Sequence, residues 1–392
     1  MEKPYTFTMI FSALLLITGV VFAEPLNGEY TIGQNGTFKS MNAAVKSLQD
    51  NGISGPVWLS FEKGEYKEKV NIGNIKGANA MNTITFDSKS GNNSDVVIES
   101  PADGSDYTIS LKDASFISFE NITISNSAST YGNVVKVDGN ASNIGFKSCI
   151  LNGVEGARTG SNNAVIYCTS QGKKDYFSFD DTELNNGSYG LYKKAETASI
   201  RTLISGCLFY NQYESGVVID NEEAPVLTNN VVNSLSKFSD YKAVALSQCN
   251  GNTIISNNII NAANGRYAIY LDNCTGLDNN YASINANSIS VGGTDAIYGI
   301  AINGNSDNQL INFNRIKLTI DAKQAANQAY YANNSTGKNV NLTNNLFYDL
   351  NTGGYTILGN TYKDFFNQLP EQNSSLSVSA NGITIEKVIP IK

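Results

Sequence analysis

From about residue 115 to its end the chain restates one short phrase: an apolar residue, two spacers, a small polar residue, one free residue and another apolar residue. It reads Phe146-Lys147-Ser148-Cys149-Ile150-Leu151, then Phe179 to Leu184, Ile204 to Phe209, Leu227 to Val232, Ile255 to Ile260, Ile284 to Ile289, Ile311 to Ile316 and Leu342 to Phe347. Phe116 to Ile124 is a looser first copy. The polar positions 121, 149, 182, 207, 230, 258, 287, 314 and 345 lie 28, 33, 25, 23, 28, 29, 27 and 31 residues apart. Such a period marks a solenoid, in which no single unit can bury its apolar face and stacking the units makes the core.

A second run precedes each polar position: Val134 to Asp138, Val217 to Asp220, Val244 to Ser247, Ile269 to Asp272, Ile300 to Asn303 and Tyr330 to Asn333. Alternation at period two makes these runs strands. Two or three short strands per turn, joined by Asn, Gly, Ser and Asp bends, predict an all-β right-handed parallel β-helix. The same alternation assigns faces. From Cys149 onward the residue two after each polar position is apolar and points inward, as at Leu151, Val232 and Ile316, whereas the residue between varies freely, from Glu183 to Ile259 to Arg315. The polar positions therefore share the interior as a ladder of Asn with Cys and Thr substitutes. Stacked amides bonding along the axis offset the cost of burying them.

The first 23 residues read as an export signal: an apolar run from about Met9 to Phe22 follows Lys3, and Val21-Phe22-Ala23 suits cleavage before Glu24. That run is shorter than the roughly 20 residues a spanning helix needs, so membrane insertion is not expected, and the protein should be secreted, periplasmic or on the cell surface. Residues 24 to 56 read as an N-terminal strand and a capping helix, with Thr37 as N-cap, Phe38, Met41, Ala44, Val45 and Leu48 at helical spacing, and Gly52 beyond. Coils are expected over 57 to 351. A C-terminal cap over 352 to 392 would hold a short helix, Tyr362 to Leu369, and two closing strands.

A net charge of −8 and a pI near 4.8 disfavour nucleic acid and anionic bilayers as partners. No histidine is present, which removes the commonest general base and every Ser-His or Cys-His nucleophile. Of the five cysteines, Cys149 and Cys207 sit two coils apart with Thr182 between them, too distant to bridge. Cys249 and Cys274 share one repeat position on adjacent coils, where either a disulfide or stacked free thiols would fit.

Gly28 to Gly33, Gly52 to Val57 and Gly64-Glu65-Tyr66-Lys67-Glu68-Lys69-Val70-Asn71-Ile72 resemble the opening of secreted bacterial β-helix repeat proteins of the pectin lyase-like superfamily. The last segment also resembles the first coil of pectin methylesterases. The resemblance covers most of the chain after residue 23 and implies fold more than chemistry, because this fold hosts lyases, hydrolases, esterases and adhesins alike. Asp295-Ala296-Ile297-Tyr298-Gly299 resembles the segment around the methylesterase nucleophile, but the Gln-Asp-Thr and Gly-Arg-Pro-Trp companions have no counterpart. Arg315-Ile316-Lys317 and Asp180-Asp181 are similar to polygalacturonase elements, yet five repeats separate them, roughly 24 Å. Pectate lyases need no histidine: acidic side chains bind Ca²⁺ and an Arg or Lys takes the proton. Asp220 and Asp272 are the matching Ca²⁺ candidates, with Arg266 nearby, although two coils, about 10 Å, is long for one ion.

Function is expected on the outward residues of the first strand of each coil. One row there reads Lys136, Ile166, Val218, Ala245, Tyr270, Ala301 and Tyr331; beside it runs Asp138, Cys168, Asp220, Ser247, Asp272, Asn303 and Asn333. Residues 189 to 195, with Lys193 and Lys194 adjacent, leave the register of one coil open. Aromatic rings beside carboxylates and amides are suited to gripping an extended glycan. The candidate face is thus Lys136, Asp138, Asp220, Tyr270, Asp272, Asn303, Tyr331 and Asn333. The reading favours a non-catalytic surface or matrix protein that binds polysaccharide or another envelope component. A polysaccharide lyase or glycoside hydrolase and a purely structural spacer are the alternatives; no cofactor beyond a possible Ca²⁺ is implied, and the oligomeric state stays open.

Overall fold

A computed structural model describes residues 24–101, 106–128, 131–293, 296–320, 328–334 and 339–348, and the strands 355–359, 362–370, 376–379 and 383–391. The chain winds as a right-handed parallel β-helix. One sheet holds twelve strands, the first strand of each coil, running from Val70–Ile72 to Leu376–Ser379. The second and third strands of each coil join in a second, continuous sheet; in one coil these three strands are Lys242–Asn250, Ile254–Ser256 and Ile259–Ala262. The pairing is parallel and in register between neighbouring coils, so each interior column is a row of equivalent residues.

The bend between second and third strands is made by a residue with left-handed φ, immediately before each ladder position: Ser148 at 51°, Asp181 at 46°, Asn229 at 58°, Asn257 at 56° and Asn344 at 53°. Glycine fills this place at Gly206, where a Cβ would stand 2.2 Å from Asp181 Oδ1. The ladder residues Cys149, Thr182, Cys207, Asn230, Asn258, Asn287, Asn314 and Asn345 are all buried. From Asn230 to Asn345 each Nδ2 donates to the next Oδ1 at 2.9–3.0 Å, and each Oδ1 also accepts the preceding coil's backbone N–H. The inward apolar residues Leu151, Leu184, Phe209, Val232, Ile260, Ile289 and Ile316 are buried as the alternation requires; Phe347 lies outside the residues whose side chains are described.

The looser first copy is shifted by one. Ile122, not Asn121, pairs into the interior column, because Ile150 registers with Thr123. Asn121 has φ +50° and forms the bend itself, the place that asparagine tolerates better than isoleucine. Earlier coils are held instead by aromatic stacking: Phe86, Phe119, Phe146 and Phe179 form a column with centroids 5.4, 5.3 and 5.5 Å apart and planes within 13°.

Met41–Asn51 is the single α-helix of the described residues, with Met41, Ala44, Val45 and Leu48 buried against the first coils. Its N-cap is Ser40 rather than Thr37: Ser40 Oγ accepts from Ala43 N at 3.1 Å, while Phe38 bridges to Ile32. The Glu68 carboxylate completes the cap, accepting from Met41 N and Asn42 N at 2.9 Å each. At the other end, Tyr362–Pro370 is a strand paired with Val340–Thr343, not the expected helix. The exposed edge of the last coil offers a hydrogen-bond ladder that outweighs the helical spacing of its apolar residues. Strands Leu376–Ser379 and Ile383–Ile391 follow. No helix among the described residues is long and apolar enough to cross a membrane.

Candidate functional site: the outer face of the first-strand sheet

Register resolves which side chains leave this sheet outward. Lys136, Tyr167, Tyr192, Val218, Ala245, Tyr270, Ala301 and Tyr331 stand side by side on successive coils. The neighbouring row contains Lys112 and Asp138, then Lys194, Asp220, Ser247, Asp272, Asn303 and Asn333. Two expected members are on the other side: Ile166 and Cys168 are fully buried, and Tyr167 and Thr169 occupy the surface. Pairing of Val135 with Ile166 forces that choice, since a thiol packs inside as readily as a methyl group whereas a tyrosine hydroxyl seeks water.

The open register at 189–195 closes in the same way. Lys193 enters the core, where its ammonium pairs with Glu222; both side chains are 1% exposed. Glu222 also accepts from the backbone N–H and the hydroxyl of Thr202, the latter at 3.0 Å. Lys194 faces out, 3.9 Å from Asp220 and 5.3 Å from the Tyr192 ring centroid. Along the interior column of Glu222, Cys249 and Cys274 follow as buried free thiols, with Cys249 N donating to Cys274 Sγ at 3.4 Å.

The strands' first residues add two further tyrosines, Tyr267 and Tyr298. Tyr267 and Tyr298 stack at 5.0 Å and 14°, Tyr298 meets Tyr331 at 5.1 Å, and Tyr267 meets Tyr270 edge-on at 5.1 Å. Lys242, paired with Asp240, lies 5.3 Å from the centroids of both Tyr267 and Tyr270. Arg266 covers Tyr267 at 5.2 Å and reaches Asp240 at 3.4 Å, so it does not serve Asp272. Burial by these neighbours pushes the Tyr267 hydroxyl up to about 12. A hollow of about 300 Å³ lined by Lys237, Asn264, Arg266 and Ile297 adjoins the cluster. Spacing signals for Tyr267 and Tyr298 were present, three residues before Tyr270 and Ala301, but the two consecutive buried residues between them, as at Ala268 and Ile269, break strict alternation.

Among the candidate residues, Asp220, Tyr270, Asp272, Asn303, Tyr331 and Asn333 fall within five consecutive coils, the second of which contributes Ala245 and Ser247 instead. Lys136 and Asp138 share the face but stand three ladder steps before Asp220, about 14 Å. Thr169 donates to Asp138 at 2.6 Å and holds its carboxyl below the usual range. Asp220 behaves oppositely: burial, and then the Asp272 charge two coils away, push its carboxyl up against the pull of Lys194. Its Oδ1 is buried and accepts no hydrogen bond from the described protein. Among the described residues no three acidic or thiol side chains converge as a metal site requires. Asp295 lies outside the described residues, and Ile316 between Arg315 and Lys317 is a core residue.

The fold, a right-handed parallel β-helix, recurs in solved structures of other proteins. No family model matches the chain, and no curated protein matches it. Among solved structures it is similar to the lacto-N-biosidase GH136 of Eubacterium ramulus, with 9% identity over 93% of this chain and 68% of that one and a TM-score of 0.55. A surface adhesin of Streptococcus pneumoniae matches at 12% identity over 89% and 87%, TM-score 0.44, and a pectin methylesterase from Aspergillus niger at 13% over 90% and 88%, TM-score 0.29. Likeness at these identities extends to fold.

Proposed function

We propose that the chain, exported by its first 23 residues, is a cell-surface or matrix protein that holds an extended polysaccharide or a related envelope component along the outer face of its first-strand sheet, without turning it over. The observation that carries this reading is the registered pair of rows over strands Ser215–Glu223 to Gln328–Asn334, tyrosine rings beside Asp and Asn. Rings stack on the C–H faces of sugars, and the acids and amides take their hydroxyls. The test is affinity electrophoresis through gels carrying different polysaccharides, with each polymer also assayed for cleavage. Retardation without new ends, lost in Tyr270→Ala/Tyr331→Ala, is the expected result. An unchanged double variant, or no retardation in any gel, refutes the reading.

One observation favours a second, catalytic reading. Asp220, with its raised carboxyl and unbonded Oδ1, faces Asp272 across Ser247. Two ladder steps place their backbones about 10 Å apart, near the 6.5 to 9.5 Å between the acid and base of an inverting glycosidase. New reducing ends that disappear in Asp220→Asn would establish this reading in place of the first.

A further inference from the structure

A different groove crosses the outer face of the second strands, on the opposite sheet from the tyrosine rows. Its floor is one ladder of small residues: Thr85, Ser118, Gly145 and Ser178 pair in register, and Trp58 closes one end. Phe116 and Tyr176 rise beside that floor, two residues before Ser118 and Ser178, with Asn143 between them. The space enclosed is about 470 Å³ and runs along the axis over four ladder steps, about 19 Å.

Two features, its exposed rings and the charge beside its floor, separate this groove from an ordinary solvated sheet face. Trp58 is 46% exposed and Tyr176 48%, so two large rings are held in water at the two ends of one floor. Phe116 and Tyr176 both take left-handed φ, 60° and 57°. That backbone is disfavoured for bulky residues and is taken by asparagine at Asn143 in the coil between them, at 54°. The same bend continues through Arg201 and Ala224 on the next two coils, at 53° and 55°, so it belongs to the repeat; on it Tyr176 is held exposed and Phe116 half-buried, both outside the core. The row beside the floor is Asp87, Glu120, Lys147 and Asp180, three carboxylates to one ammonium. Glu120 lines the groove with its Oε1 accepting from Ser118 Oγ at 3.1 Å.

We propose that this groove is a second carbohydrate site, taking an uncharged linear oligosaccharide laid along the solenoid axis, its rings stacked on Trp58, Phe116 and Tyr176. The floor of hydroxyls and one glycine lets a pyranose chain lie close, and Glu120 accepts its hydroxyls. The acidic row turns away uronate and sulfated polymers by like-charge repulsion. This site stands independently of the tyrosine rows on the other sheet.

Trp58 is the chain's sole tryptophan, so its fluorescence reports this groove alone. Hexaoses of β-1,4-glucose, β-1,3-glucose, α-1,4-glucose and β-1,4-N-acetylglucosamine are titrated against the protein, with oligogalacturonate as the charged comparison. At least one neutral hexaose is expected to give a saturable change in Trp58 emission. Tyr176→Asn and Phe116→Asn, which place in the bend the residue it already carries at Asn143, should weaken half-saturation about tenfold. Their urea midpoints confirm that the fold is kept, and Tyr270→Ala/Tyr331→Ala should leave the titration unchanged. The proposal is overturned by no emission change with any neutral hexaose at millimolar concentration. A titration that Tyr176→Asn leaves within twofold, or one that oligogalacturonate reproduces, overturns it equally.

Discussion

Substituting Asn258 in the middle of the amide ladder separates two contributions that the interior combines. Its Oδ1 accepts from the backbone N–H and the Nδ2 of Asn230, both at 3.0 Å, and its Nδ2 donates to Leu227 O at 3.0 Å and Asn287 Oδ1 at 2.9 Å. Asn258→Ala deprives the buried Asn230 N–H and the Leu227 carbonyl of these partners, about 1 to 3 kcal/mol each, and removes the amide pair, about 1 kcal/mol. The expected loss is about 3 to 7 kcal/mol. Asn258→Thr behaves differently, because Thr182 already plays this part: its hydroxyl accepts from Cys149 N at 3.3 Å and donates to Phe146 O at 3.2 Å. Threonine restores both backbone bonds and sacrifices the amide pair, for an expected loss of about 1 to 2 kcal/mol. Urea unfolding followed by circular dichroism and by Trp58 emission gives the difference, provided that the two transitions coincide. If Thr and Ala prove equally damaging, the ladder acts through amide stacking and not through backbone satisfaction, and the reasoning fails.

Removing one partner of the buried Lys193 and Glu222 pair, as in Glu222→Gln, should destabilise by about 3 to 5 kcal/mol, whereas Lys193→Met/Glu222→Leu should recover most of that in the same urea assay. Burial pushes the thiols of Cys149, Cys168 and Cys207 up to about 12, so native protein at pH 8 should take up no alkylating agent at these sites while unfolded protein does; mass spectrometry reads the difference. Asp220 has a folded carboxyl raised above its ordinary 3.8, so the folded state binds more protons in that window and stability falls as pH rises through it; Asp220→Asn should flatten this fall in a series of melts from pH 4 upward.

The interior was legible where one residue type recurs at one phase: eight ladder positions from Cys149 to Asn345 and the apolar column beside them lie where alternation puts them. Legibility failed where two residues compete for one place. Asn121 and Ile122 are both acceptable at a ladder position by composition, and only the left-handed bend separates them. Cys168 and Tyr167 differ in face because a neighbouring strand fixes the register. Lys193 is unreadable as a core residue until Glu222, 29 positions later, is placed against it. Trp58, Phe116 and Tyr176 are far apart in the chain and converge only through the coil stacking. On the outer face of the first strands, alternation does place Asp220, Tyr270, Asp272, Asn303, Tyr331 and Asn333 on one side, with Ala245 and Ser247 between Asp220 and the rest.

The column Phe86, Phe119, Phe146 and Phe179 bears on how such a chain can lengthen. Phe119 and Phe146 each meet a ring of their own size above and below, so a duplicated coil inserted between them would find ready-made neighbours on both sides. Growth by copying therefore comes in whole turns of about 4.8 Å and leaves the packing of every existing turn intact. Each copy also extends the outer rows by one more side chain, so the reach of such a surface is set by gene duplication and its chemistry by point substitution.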